Sequence, residues 1–415
     1  MVKFIHTADL HLDTPFSGLE KWDKSRAEVL KKANNDVFEN IIQLCIREKV
    51  DFLVIAGDVF DSEENSLEAQ LLFNRGLRKL EDHNIPAYVV CGNHDPLSDQ
   101  KKILKIPANT YVFPANQPET KKVVNSAGEP VASITGVSHD SEAVSENLAA
   151  QYPEGDPKLP SIAVLHGNLS GNTEHEPYAP FRMEDLQKSH IDYWALGHIH
   201  KRELLSDQDP AVVYPGNPQG RHFGETGEKG CYVVSLEKGQ KPHLDFRPCM
   251  NALFDYLTID VSGIGDWPEL IDHIGKNLSD TQPELPFLAR IKLSGRTLLH
   301  AELQSPERHK TIIEQTEENY TGDRLFIDKI IPQTQPEEDL KEREQSGDFA
   351  GEVLRSFTEL NNDHEELEKI FASLSEEMSA TLPGKKFPPV LDEEEKQEVI
   401  ERARWMFFDQ FNQST

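Results

Sequence analysis

The sequence predicts a layered α/β domain, followed by a small α+β unit and a set of C-terminal helices. Three observations carry this. Between residues 1 and 250 eight short apolar runs recur, from "KFIHTAD" to "GCYVVSL", the first three separated by helix-like segments. Residues 251–335 hold a second series that reads strand, helix, strand, helix, strand. Beyond a polar linker at 336–348, apolar residues fall at helical spacing through 349–415.

In chain order, "KFIHTAD", "DFLVIAGD" and "AYVVCGN" alternate with the helical patterns "AEVLKKANNDVFENIIQLCIREK" and "LEAQLLFNRGLRKLEDHN". "VASITGV", "SIAVLHG", "YWALGHIH", "AVVYPGN" and "GCYVVSL" then follow one another closely, so the second half of the domain is strand-rich. The small unit reads as strand "LFDYLTIDV", helix "WPELIDHIGKNL", strand "FLARIKLSG", helix "ERHKTIIEQTEENY" and strand "RLFIDKII". The last region carries Phe349, Val353, Phe357, Leu360, Leu367, Phe371, Leu374 and Met378 on helical spacing. After a break at "PGKKFPP" comes a final helix with Val399, Ile400, Ala403, Met406, Phe407 and Phe411.

The 415 residues, 37% hydrophobic and 28% charged, suit two or three ordinary globular domains. The chain opens directly into a strand pattern, and no apolar run approaches the roughly 18 residues of a membrane span. The expectation is a cytoplasmic protein with no leader and no membrane contact. Four cysteines, Cys45, Cys91, Cys231 and Cys249, lie far apart with no C-x-x-C. They are expected reduced and mostly buried, with neither a thiolate zinc site nor a disulfide framework.

A net charge of -29 weighs against a nucleic-acid partner, because phosphate binding needs Lys and Arg. Its distribution softens the objection. Residues 1–250 hold 37 acidic and 26 basic residues, net -11, against 35 and 17, net -18, in the shorter remainder. Basic spots stand at Lys101, Lys102 and Lys105, at Lys121 and Lys122, and at Lys201, Arg202 and Arg221.

Five apolar runs in the first domain end in metal-ligating residue types: Asp9 and His11; Asp58 and Asp61; Asn93, His94 and Asp95; His166; His198 and His200. Strand ends of an open α/β sheet lie side by side, so groups far apart in sequence converge there. In extended chain, residues two apart point the same way, so Asp9 with His11, and His198 with His200, each aim two groups at one point. Gly57, Gly92 and Gly197 fit sharp turns where the chain leaves the sheet.

Carboxylates, imidazoles and one amide, with no thiolate, suit manganese, iron or zinc. Seven candidates, Asp9, His11, Asp58, Asn93, His166, His198 and His200, exceed one ion's needs, whereas two ions sharing a carboxylate fit the count, with Asp58 the natural bridge. Such a pair lowers the pKa of water from about 15.7 toward roughly 7 and neutralises an anion. The best-matched substrate is a phosphate ester, with His94 placed to protonate or stabilise the leaving oxygen. Arg221 and, of the remaining histidines, His222 are the candidates for substrate contact.

The ordered set "DLH", "GDVFD", "GNHD", "LHG" and "GHIH" resembles the calcineurin-like metallophosphoesterases. "FIHTADLHLD" with "GDVFD" resembles, more narrowly, the SbcD-type DNA repair nucleases, and "YPGNPQGRHFGETGEKGCYVV" the YhaO-like bacterial branch. The resemblance covers about residues 1–250. It implies a sandwich of two mixed β-sheets flanked by helices, with a small capping domain and C-terminal helices. One ion would be held by Asp9, His11, Asp58 and His200, and the other by Asp58, Asn93, His166 and His198. His94 would act on the scissile phosphate, while Asp61 and Asp95 orient the ligands or that imidazole. The implied activity is a two-metal DNA exonuclease and endonuclease, most often with Mn2+, working with a coiled-coil ABC-type ATPase of the SbcC kind. A homodimer is compatible with it. The acidic small unit departs from the family's DNA-orienting cap, which leaves a dimerisation or folding role open. The C-terminal helices either dock on the ATPase or fold back on the chain itself. Two other functions compete: a phosphatase or cyclic-nucleotide phosphodiesterase, which the ligand set alone suits equally, and a non-catalytic binding module.

Overall fold

Strand runs that are apolar at nearly every position need cover on both faces, and the first unit of the chain provides it with two sheets and two helical layers. The structure, a computed structural model, describes residues 1–14, 24–61, 66–98, 105–170, 178–281, 284–320, 322, 324–337, 343–381 and 393–414. Lys101, Lys102 and the "PGKKFPP" break lie outside the described residues.

The first unit, Met1–Asp255 with Pro283–Leu288 and Arg324–Phe326, contains two six-stranded sheets. Its elements are β1 (Val2–Thr7), α1 (Lys24–Glu48), β2 (Phe52–Ala56), α2 (Leu67–Asp82), β3 (Ala87–Val90), β4 (Thr110–Val112), β5 (Glu119–Val124), β6 (Pro130–Gly136), β7 (Ser161–His166), α3 (Met183–Lys188), β8 (Tyr193–Gly197), β9 (Glu203–Asp207), β10 (Ala211–Tyr214), β11 (Gly230–Leu236) and β12 (His243–Pro248). One sheet runs β12-β11-β1-β2-β3-β4 and the other β5-β6-β7-β8-β10-β9. Both are mixed: β1 to β4 and β6-β7-β8-β10 are parallel, with antiparallel partners at the margins.

Strand alternation assigns each side chain to a layer. Phe4, Phe52 and Val54 point between the sheets, where they meet Ile134, Val164, Tyr193 and Val213. Ile5, Leu53 and Ile55 face the other way, against Phe38, Ile41 and Leu77 of α1 and α2. Trp194 and Leu196 cover the outer face of the second sheet with Phe181 and Leu186. All four cysteines are free and buried.

The second unit, Tyr256–Gln282, Ala289–Asp323 and Ile327–Thr415, carries most of a three-stranded sheet, β13 (Leu253–Asp260), β14 (Phe287–Arg296) and β15 (Leu325–Gln335), in that order. Its helices are α4 (Trp267–Thr281), α5 (His300–Leu303), α6 (Pro306–Tyr320), α7 (Phe349–Asn361), α8 (His364–Thr381) and α9 (Glu393–Ser414). The apolar pattern that runs through 349–381 is two helices, because the chain turns at Asn362, whose N–H caps α7. Phe408 of α9 packs on Leu354, and Phe407 and Phe411 approach Phe357 and Phe349, with ring centroids 6.1 Å apart in each pair. No helix among the described residues is long and apolar enough to cross a membrane.

Candidate metal centre

The groups singled out in the sequence meet along the C-terminal edges of β1, β2 and β3 in one sheet and β7 and β8 in the other. The turns that carry them differ from the extended geometry expected. Asp9 (φ 52°), His11 (φ 42°), Asp58 (φ 50°) and His198 (φ 97°) occupy the left-handed region, which costs a non-glycine residue about 1–2 kcal/mol. The pairing of β1 with β2 continues past both strands and holds these turns, through Asp9 N to Gly57 O at 3.0 Å and His11 N to Asp58 O at 3.0 Å. Convergence therefore comes from left-handed loops zipped together, not from alternation along a strand. Of the three glycines expected at sharp turns, Gly57 (φ 90°) has the left-handed backbone that glycine favours, and Gly92 and Gly197 do not. Gly92 and Gly197 make room: a Cβ on Gly92 would sit 2.1 Å from Asp58 Oδ1, and one on Gly197 1.8 Å from Ala56 O.

The donor atoms oppose one another in a way that a cation resolves. His166 donates Nδ1–H to Ala56 O at 2.9 Å, which turns its Nε2 toward two acceptors, Asn93 Oδ1 at 3.0 Å and Asp58 Oδ2 at 3.4 Å. His200 donates Nδ1–H to Glu225 Oε1 at 2.7 Å, so its Nε2 faces His11 Nε2 at 3.1 Å. Asp58 Oδ2 stands between the two groups, 3.6 Å from His11 Nε2, buried and without a hydrogen bond. A buried acceptor in that state costs about 1–3 kcal/mol or more. Burial opposes charge on Asp58, but His166 beside it holds its carboxyl well below the usual range. His166 is in turn pushed up to about 9 by Asp58 and Asp9, against the effect of burial. The residues fit divalent cations: ligating atoms of Asp9, His11 and His200, and of Asp9, Asp58 and His166, lie within 4.8 Å of one another in each triplet.

His198 completes the arrangement, with Nδ1 3.1 Å from Asn93 Oδ1 and its backbone N–H donated to Asp9 at 3.0 Å. His94 donates its backbone N–H to Asp58 Oδ1 at 3.0 Å, and its ring is 37% exposed with Nδ1 3.5 Å from Asp61 Oδ1. That contact, more than any other, raises the His94 imidazole above its ordinary value. Asp95 fastens two loops, accepting from Gly92 N at 2.7 Å and Val59 N at 2.8 Å, and burial followed by Asp58 pushes it up to about 7.

A cavity of 660 Å³ opens above these groups, with His94, Tyr178, Lys201, His222 and Lys229 on its walls. The two substrate-contact candidates separate. His222 is on the wall and exposed, whereas Arg221 is largely buried behind it, bonded to Glu225 at 3.1 Å and 3.7 Å from Asp61. Its guanidinium is an internal strut. Lys121 and Lys122 pair with Glu119 and Asp156.

Sequence reasoning missed Glu225 and Lys229. Glu225 takes hydrogen bonds from His200, Asn217 and Arg221, and Lys229 Nζ donates to His200 O at 2.9 Å. His139 Nε2 meets His166 O at 2.7 Å. One glutamate among 72 acidic residues carries no local signal. Its role exists only where the loop after β10 folds back under His200.

Residues 2–202 match the family model described as calcineurin-like phosphoesterase, and residues 254–335 match that of the middle domain of metallophosphoesterase YhaO. The chain is 39% identical over 293 residues to the uncharacterized metallophosphoesterase YhaO of Bacillus subtilis (strain 168), covering 70% of this chain and 71% of that protein. It is 26% identical over 319 residues to the DNA double-strand break repair protein Mre11 of Saccharolobus solfataricus, covering 73% and 79%. The protein of the same name from Sulfolobus acidocaldarius is 23% identical over 313 residues, covering 73% and 75%.

Proposed function

The chain belongs to the calcineurin-like phosphoesterases, with the YhaO metallophosphoesterases among its relatives, and from that premise we propose that this metallophosphoesterase hydrolyses phosphodiester bonds of DNA. The observation that carries the reading is the pair of opposed donor groups sharing Asp58 at the floor of the open cavity. Asp9, His11, Asp58 and His200 would hold one ion, and Asp58, Asn93, His166 and His198 the other, with Mn2+ the best match to these hard and borderline donors. Two such ions supply charge neutralisation of the phosphate and water activation at neutral pH.

The chain's own residues do the rest. His94 faces the cavity and gives a proton to the leaving oxygen, with Asp61 orienting its ring. Glu225, braced by Arg221, holds the tautomer of His200. Lys201 and His222 place positive or polar groups where a phosphate backbone would lie. DNA as substrate is supported by the Mre11 relatives, named for double-strand break repair, which match across more than two thirds of their length. We extend the same reading to a cytoplasmic location, to residues 251–335 as a cap, and to residues 349–415 as the docking region for an SbcC-like ATPase.

The test is an assay of purified protein with Mn2+ on end-labelled DNA beside a chromogenic phosphodiester. DNA cleavage that disappears in His94→Ala supports the reading. Turnover of the chromogenic ester with intact DNA moves the function to small phosphoesters.

A further inference from the structure

Away from the metal centre, two of the four cysteines touch. Cys231 Sγ in β11 lies 3.5 Å from Cys249 Sγ just past β12, both side chains buried. Cys231 is opposite Arg247 in the ladder and Cys249 N donates to Lys229 O at 3.0 Å, so the cysteines are diagonal neighbours across one antiparallel pair.

Their environments differ. Cys249 lines a cavity of 360 Å³ with Asn40, Gln43, Arg47, Arg247 and Met250, whereas Cys231 is wholly enclosed behind it. The bond with Cys231 lowers the Cys249 thiol, with Arg47 adding to it against burial, while the same bond and burial raise Cys231 well above its ordinary value. A more acidic thiol beside a solvent-facing cleft, backed by a second thiol in contact, is the arrangement of an attacking and a resolving cysteine.

We propose that Cys231 and Cys249 form a reversible dithiol–disulfide couple, oxidised by hydrogen peroxide entering the Arg47–Arg247 cleft, and that closing the couple loosens the metal centre. The Cys249 thiolate attacks one peroxide oxygen, the O–O bond breaks, and hydroxide leaves. The resulting sulfenic acid is attacked by Cys231 sulfur, which loses its proton as the S–S bond forms and the sulfenic oxygen departs as water. Two thiols and one peroxide give one disulfide and two waters.

The consequence for the metal centre is geometric. A disulfide needs its sulfurs at about 2.05 Å, so the pair must close from contact distance. The ladder has little slack there, since a Cβ on Gly230 would already lie 2.0 Å from Arg247 O. Lys229 N and O bond Met250 Sδ, Met250 N and Cys249 N, and its Nζ reaches His200 O at 2.9 Å. Movement at Cys249 therefore pulls on the residue that supports a metal-ligand loop. This second half of the proposal rests on the metal-centre reading above.

The experiment treats the reduced full-length chain with one equivalent of hydrogen peroxide, then counts thiols, maps cross-linked peptides and measures Mn2+ affinity by calorimetry. Expected are loss of two thiols, a single 231–249 cross-link that dithiothreitol reverses, and Mn2+ binding weakened roughly tenfold until reduction. Cys45→Ser should keep all three results. Cys231→Ser should stop Cys249 at a sulfenic acid that dimedone traps. Sulfinic acid at Cys249 of the unaltered chain without a cross-link, or a cross-link through Cys45 or Cys91, overturns the couple. Because these are read on the unaltered chain, a misfolded variant does not obscure them. Unchanged Mn2+ affinity in the cross-linked protein overturns the coupling. A reduced protein that binds no Mn2+ overturns the metal-centre reading, and the cross-link map still decides the couple.

Discussion

Nε2 of His166 faces Oδ1 of Asn93 at 3.0 Å, and with Nδ1–H given to Ala56 O this contact is favourable only when Nε2 holds a proton or a cation lies between the two atoms. The two side chains stand at or just past the ends of strands of different sheets, which bring them to that separation. With His166 raised to about 9, a proton fills that role until a divalent cation displaces it and is held by both atoms.

Mn2+ should therefore stabilise the fold. At a free concentration a hundredfold above Kd the gain is about 2.7 kcal/mol. The thermal midpoint should rise on adding Mn2+ and fall back with chelator. Asp58→Asn should lose more of that rise than any other single change, because Asp58 Oδ2 serves both donor groups. A full rise in Asp58→Asn would refute its shared role.

His94→Ala should lower kcat by roughly 10²–10⁴ while two ions per chain remain bound. Its ring is exposed to the cavity, and its backbone N–H, which the substitution keeps, is the part that touches Asp58. Elemental analysis beside the kinetics separates the outcomes. Loss of an ion would mean that His94 is a ligand.

Glu225→Gln should weaken metal binding by roughly 10–100-fold, with activity recovering at high Mn2+. The amide can still accept from His200 but carries no charge to hold the proton on Nδ1. Recovery distinguishes loss of orientation from loss of fold. Wild-type metal affinity in Glu225→Gln would remove Glu225 from the site.

His6, buried in β1, accepts from the Tyr193 hydroxyl at 2.9 Å and donates to Leu196 O at 3.2 Å, so its neutral form is satisfied. Burial lowers it to about 3. The unfolded chain takes up this proton first, near pH 6.5. Stability is thus fully present above that pH and declines by up to about 1.36 kcal/mol per pH unit as pH falls toward 3. Urea midpoints of wild type and His6→Gln between pH 7 and 4.5 check this. The variant should show the shallower slope, and parallel slopes would count against a buried neutral His6.

The sequence by itself determined the layers and the candidate donors that the fold brings together. Runs apolar at every position demand two buried faces, and the five strand-end clusters contain the donors that meet at the centre. Spacing did not determine how those donors aim. Expected as extended chain, Asp9, His11 and His198 are left-handed, as is Asp58, because inter-loop hydrogen bonds that no local pattern encodes outweigh the intrinsic cost. Arg221 read as a free basic spot and became an internal strut, and Glu225 was invisible until the chain folded back. Periodicity reports what each segment must bury. Which partner a polar group finds depends on segments distant in sequence, from 25 residues for His200 and Glu225 to 189 for Asp9 and His198, and only the tertiary structure decides that.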